Sequence, residues 1–115
     1  MRDDPPTLHA VLARFAPGWG ADVDCAQGWW PIIADLDHQI AAIAPDYKVH
    51  QIKEKFGGLR FYYGLDEVGS DPRIDDLIER AEKIAARTCE LCGAPGRARG
   101  AGWIKTLCDP HATSR

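Results

Sequence analysis

No apolar run in this 115-residue chain is long enough to span a bilayer, which takes about 20 consecutive apolar residues as a helix. A transmembrane function is therefore excluded from the reading. The opening segment, "MRDDPPTLHA", is acidic and proline-rich, with no apolar stretch behind it of the kind a secretory signal uses. The expected location is the cytoplasm. There is no internal repeat and no low-complexity tract, so a solenoid or a disordered linker protein is not expected. Cysteines number four. In a reducing compartment so few point to a metal rather than to a disulfide framework.

Basic residues are outnumbered, 14 Lys and Arg against 17 Asp and Glu, for a net charge of −3. The imbalance is uneven along the chain. Residues 1–46 hold two basic and seven acidic side chains (−5), residues 47–86 seven and eight (−1), and residues 87–115 five and two (+3). A basic C-terminal end can serve a nucleic-acid partner, but an acidic whole does so only where its charges segregate in space. Apolar residues make up 45%, enough for one small core. Domains of this size often lean on a metal or a disulfide.

Helical spacing appears three times. Leu8, Val11, Leu12 and Phe15 lie at i, i+3, i+4 and i+7, one face of a helix, with Thr7 as its expected N-cap. "PIIADLDHQIAAIA" begins with Pro31, stops at Pro45 and aligns Ile32, Leu36, Ile40 and Ile43. "DPRIDDLIERAEKIAART" has Asp71 as cap and Pro72 in the first turn, with Ile74, Leu77, Ile78, Ala81, Ile84 and Ala85 as its stripe. Trp19, Trp29 and Trp30 read as core or rim. Asp35, Asp37 and His38 crowd one turn, where a solvated polar face is the expectation.

Between the second and third helices lies "YKVHQIKEKFGGLRFYYG". Gly57-Gly58 between two β-prone runs predicts a two-residue hairpin turn. Phe56 then faces Leu59, Glu54 faces Phe61 and Ile52 faces Tyr63, a face fit to pack on the helices. The other face sets Lys55 across from Arg60 and Lys53 across from Tyr62. Like charges placed opposite each other are mildly destabilising. Lys53, Lys55, Arg60 and Tyr62 are therefore a candidate stacking and phosphate-binding face, against the plainer role of lysines that guard a sheet from edge pairing.

"TCELCGAPGRARGAGWIKTLCDPHA" (88–112) carries Cys89 and Cys92 as C-x2-C, a fifteen-residue spacer, then Cys108 and His111 as C-x2-H. Thiolates and a neutral imidazole are the ligands Zn2+ prefers, and four of them close a tetrahedral structural site. Gly93 stands where a knuckle turn needs a residue without a Cβ. A redox C-x2-C lacks its βαβ context. An iron–sulfur cluster wants four cysteines, and Cys25 is the one candidate for the fourth. Cys25 also competes with His111 for the zinc. His111 is preferred, because its spacing mirrors the first pair, which leaves Cys25 as a small core residue. No H-x-E occurs anywhere and no proline directly precedes Cys89 or Cys108, so the zinc deaminase pattern is absent. A structural Zn2+ and no catalytic residues are expected. In the spacer, Arg97, Arg99 and Lys105 flank Trp103, a composition common at binding hot spots.

"KEKFGGLRFYY" (53–63), the cysteine segment and "GWWPIIADL" (28–36) resemble a family of small, uncharacterised bacterial and phage-type proteins, over roughly residues 25–112. The resemblance implies a zinc-binding tail through Cys89, Cys92, Cys108 and His111. It implies no activity, and occurrence on phages and mobile elements would suggest an accessory or counter-defence role. The expected fold is α+β in one domain: a helix and hairpin core over 1–88 and a zinc-binding subdomain over 89–111. The helices pack on a β-hairpin or small antiparallel sheet, with "GWIKTL" (102–107) as the candidate third strand, since a lone hairpin is marginal. The expected function is a non-enzymatic protein-interaction module, an adaptor or inhibitor. The alternative is a nucleic-acid binder using the basic hairpin face and the zinc loop.

Overall fold

The computed structural model describes residues 5–18, 20–66 and 69–113, with side chains from residue 8 onward. Trp19 lies outside the described residues. Helix α1 spans Pro5–Ala13 and buries Leu8 and Val11. Pro5 and Pro6 stand in its first described turn, where a proline's fixed φ is tolerated. Thr7 is thereby inside the helix, not at its cap, and its side chain lies outside the described ones.

A short strand β1 (Val23–Asp24) and a 3-10 turn (Gln27–Trp29) lead into α2 (Trp30–Ile43). Pro31 sits in the first turn of α2. Ile33, Leu36 and Ile40 are its buried stripe, with Ile32 and Ile43 packed at the margin. Trp29 is fully buried and Trp30 half-buried. Helix α3 (Pro72–Ala85) is capped as expected: Arg73 N–H donates to Asp71 Oδ1 at 2.8 Å. Ile74, Ile78, Ala81 and Ala85 are buried, whereas Ile84 is 48% exposed and falls outside the packed stripe. Helix α2 packs against both α1 and α3, and α3 packs on the sheet.

The main sheet has the order β1-β2-β3, with β2 at Lys48–Lys55 and β3 at Gly58–Gly64. It is mixed rather than antiparallel. β1 runs parallel to β2, joined by a crossover through α2, and Phe15 bridges the same edge of β2 at Val49. "GWIKTL" does not join this sheet. Its β5 (Lys105–Leu107) pairs antiparallel with β4 (Arg97–Arg99) in a separate two-stranded ribbon, which occupies the ladder groups a third strand would need.

The hairpin register also differs from the expectation. Lys55 faces Gly58, Glu54 faces Leu59, Lys53 faces Arg60 and Ile52 faces Phe61. The turn residues are Phe56 (φ 56°) and Gly57 (φ 80°), a pair of positive φ values that marks a type I′ turn. Three contacts select it. Glu54 Oε2 accepts from Gly57 N–H at 2.7 Å, Thr106 Oγ1–H donates to Gly57 O at 2.6 Å, and Gly57 lies against Ile104. The register moves by an even step, so each residue keeps its face: Ile52, Leu59 and Phe61 are buried, and Tyr62 points out. Phe56 leaves the core face altogether and is 68% exposed. A bulge between Val49 and Gln51 lets Val49 share the buried face with Ile52.

Two apolar clusters result. The larger joins the three long helices to the sheet, and the smaller is built on Cys89, Leu107 and Cys108. No described helix is long and apolar enough to cross a membrane.

Candidate metal centre

Helix α3 delivers the chain into the site. Thr88 Oγ1–H closes the last turn on Ile84 O at 2.7 Å, and Cys89 N–H then donates to Ala94 O at 2.7 Å. Gly93 N–H returns to Cys89 O at 2.8 Å with Gly93 at φ 86°. That left-handed conformation is the one a residue without Cβ takes freely. The second pair is held differently. Cys108 precedes the short helix α4 (Asp109–Thr113), and Ala112 N–H donates to Cys108 O at 2.9 Å. A spacing of three on a helical turn puts Cys108 and His111 on one side.

The four donor atoms of Cys89, Cys92, Cys108 and His111 all lie within 4.8 Å of one another. His111 Nδ1 is 3.4 Å from Cys89 Sγ and 3.2 Å from Cys108 Sγ, and Cys92 Sγ is 3.7 Å from Cys108 Sγ. Zinc bonds of about 2.3 Å to sulfur and about 2.0 Å to nitrogen, opened to tetrahedral angles, set edges of about 3.8 Å for S···S and about 3.5 Å for S···N. The three edges above fall close to these, and the remaining ones lie within 4.8 Å. A disulfide needs about 2.05 Å, and all four cysteines are free. His111 completes the set and Cys25 does not, packing instead against the main core.

The protonation chemistry suits a cation. Burial opposes ionisation of Cys89, but backbone N–H groups of Cys108, Cys92 and Leu91, together with His111, outweigh it and hold the thiol down at about 6. At Cys92 a backbone N–H from Ala94 favours the thiolate. Burial and the neighbouring sulfurs of Cys89 and Cys108 win there and push it up. That crowding of sulfur charge is what a bound divalent ion relieves. Cys25 is pushed up to about 12, mainly by burial and next by Glu90.

The site is docked on the helical core. Gly28 N–H donates to Glu90 O at 2.7 Å, Ala26 N–H to Glu90 Oε2 at 2.9 Å, and Trp29 Nε1–H to Thr88 O at 2.8 Å. Lys105 Nζ lies 2.8 Å from Glu54 and 3.5 Å from Glu90, tying ribbon to hairpin. Two expected surface cations are therefore internal. Lys105 bridges buried Glu90 and part-buried Glu54, and Arg99, 19% exposed, pairs with Asp109 at 2.5 Å. The sequence reading leaves these cations unpaired: Asp109 and Glu90 lie in the same C-terminal segment, and Glu54 comes from the hairpin. Arg97 is exposed and Trp103 is 72% exposed. Lys53, Lys55, Arg60 and Tyr62 do share the outward face of the hairpin; burial pushes the Glu82 carboxyl up, and Arg60 lies near enough to oppose that shift in part.

The turn at Asp35, Asp37 and His38 is not wholly a solvated face. Asp37 is buried, accepting from Arg14 Nε at 2.7 Å and from Tyr47 OH at 2.5 Å. Asp35 and His38 border an open groove of about 840 Å³ that also touches Trp30, Leu91 and Cys92. Phe56, Glu54 and Glu90 were not legible as site residues. The one available signal was the mismatch between a hairpin turn and a phenylalanine beside Gly57. The chain matches no family model, no curated protein and no solved structure at a significant level.

Proposed function

We propose that this chain is a small non-enzymatic zinc-binding protein, in which Zn2+ is structural and the surface around the zinc loop binds another protein. The observation that carries the reading is the Cys89, Cys92, Cys108 and His111 set, with edges close to those of a tetrahedral zinc site. Four protein ligands from residues 89–111 fill every tetrahedral position, and catalytic zinc needs one left open. Exposed Trp103 and Phe56 beside a rigid ribbon support a protein partner, since aromatic anchors dominate such interfaces. An adaptor or inhibitor role fits this size. A phage or mobile-element accessory or counter-defence role is part of the proposal on the resemblance of the hairpin and cysteine motifs.

A second reading is nucleic-acid binding through Lys53, Lys55, Arg60 and Tyr62, favoured by their shared outward face. It predicts affinity that falls steeply with salt. The diversion of Arg99 and Lys105 into ion pairs leaves it second.

Elemental analysis tests the leading reading. One zinc per chain is expected in the wild type and in Cys25→Ser, with loss in Cys108→Ser and weakened retention in His111→Ala. A wild type purified without metal, or zinc lost from Cys25→Ser, would overturn the assignment.

A further inference from the structure

We propose that Phe56 and Trp103 form the two walls of a notch that receives one aromatic or large aliphatic side chain of a partner protein, with an acidic residue of that partner beside it. This rests on the protein-binding reading above and names the partner's chemistry.

Phe56 stands at φ 56° in a two-residue turn. A side chain with a Cβ is strained there, and asparagine or glycine would be relaxed. A core residue repays such strain by burial, but the Phe56 ring is 68% exposed. Within the chain the phenylalanine gains little from its position, and strain kept without internal return is a mark of function. Trp103 presents a second ring, 72% exposed, from the loop between β4 and β5. The two rings border one notch of about 190 Å³, lined also by Gly102, Ile104, Lys55 and the Lys105–Glu54 pair, the scale of a single large side chain.

The gap between the loops is held by buried polar contacts. Thr106 Oγ1–H donates to Gly57 O at 2.6 Å, and Lys105 joins Glu54 at 2.8 Å. A Cβ on Gly57 would already meet Ile104 Cγ2 at 3.0 Å. A partner side chain thus enters a preformed slot and loses less entropy on binding. Each ring carries an ammonium, Lys55 Nζ at 5.6 Å from the Phe56 centroid and Lys105 Nζ at 5.9 Å from that of Trp103. Lys105 is already matched by Glu54 and Glu90, so it is the exposed Lys55 whose complement is a carboxylate. A polynucleotide fits less well. Lys105 is shared by Glu54 and Glu90, so Lys55 is the exposed ammonium among the residues that line the notch. One phosphate contact supplies little of the counterion release that nucleic-acid binding uses.

The test is selection of a displayed random-peptide library on the zinc-loaded full chain, then titration of selected peptides against wild type, Phe56→Asn and Trp103→Ala. Selected peptides should pair an aromatic or large aliphatic residue with Asp or Glu. Replacing that acid by its amide should weaken binding several-fold. Each protein variant should bind about tenfold or more weakly, with zinc still at one per chain. The melting temperature of Phe56→Asn should rise, the opposite of its effect on binding. Peptides that bind both variants like wild type, or that lack acidic residues, overturn the notch alone. A fall in the melting temperature of Phe56→Asn overturns the strain argument and the notch with it. If wild type selects no peptide while holding zinc, the protein-binding reading falls as well. Salt-steep binding of an oligothymidylate that Phe56→Asn abolishes reassigns the notch to nucleic acid.

Discussion

Gly28 is where the metal segment meets the helical core, and replacing it with alanine isolates that contact. A Cβ at position 28 would lie 2.3 Å from Cys89 O, 2.5 Å from Glu90 O and 2.6 Å from Glu90 C, all backbone atoms, where real Cβ atoms keep at least 3.0 Å. The knuckle cannot rotate a side chain out of the way and must retreat as a unit. Three hydrogen bonds cross the same gap, from Gly28 N–H, Ala26 N–H and Trp29 Nε1–H. At roughly 1 kcal/mol net for each, their loss costs about 3 kcal/mol. In a domain of this size that lowers the melting temperature by roughly 10–20 °C. Zinc content should stay at one per chain, because the knuckle retreats as a unit and its four ligands keep their positions relative to one another. The assay is thermal unfolding of zinc-loaded wild type and Gly28→Ala, with Gly20→Ala as control, since nothing lies within 4 Å of a Cβ there. A Gly28→Ala melting temperature within about 2 °C of wild type, or an equal fall in the control, would refute the docking argument.

Further outcomes follow from other contacts. Asp37→Ala strands Arg14 and Tyr47 around a vacated buried site and should cost about 2–4 kcal/mol, read by urea unfolding. Asp37→Leu being equally stable would show that the cluster adds nothing. Burial, aided by hydrogen bonds to Asp75 and Asp37, raises the phenols of Tyr63 to about 12 and Tyr47 still higher. The unfolded chain ionises these groups first, so stability is fully present below their ordinary value of 10.0 and falls as pH rises above it. Melting curves up to pH 11 should show that loss, reduced in Tyr63→Phe. Cys25, pushed up to about 12, should resist maleimide at pH 8 in the folded zinc form and react fully in denaturant. Rapid labelling without unfolding would contradict its place in the core.

The helices and the cysteine–histidine cluster were legible because their signals are local. Prolines, an aspartate cap and a 3.6-residue apolar repeat place α2 and α3, and two C-x2 pairs name Cys89, Cys92, Cys108 and His111. What was not legible depends on residues distant in sequence. The turn moved from Gly57-Gly58 to Phe56-Gly57 because Thr106 and Ile104, some fifty residues on, hold Gly57. Arg99 and Lys105 read as surface cations until Asp109, Glu54 and Glu90 closed around them. The third strand was sought in "GWIKTL", but the two-residue β1 is too short to leave a periodic signal.

The indole of Trp29 donates to a carbonyl 59 residues further along the chain. Synthesis proceeds at about 5–20 residues per second, so the nascent protein carries that tryptophan without its acceptor for about 3–12 s. During this interval α2 has no seat for its leading turn, and the apolar ring is available to a chaperone or to a neighbouring nascent chain. The event that ends the interval is the arrival of the segment that carries Thr88 and the cysteines. On the proposed zinc-binding reading, zinc supply would then set how long each new molecule stays vulnerable, and scarcity of the ion would show first as aggregation of fresh chains while older, filled molecules persist.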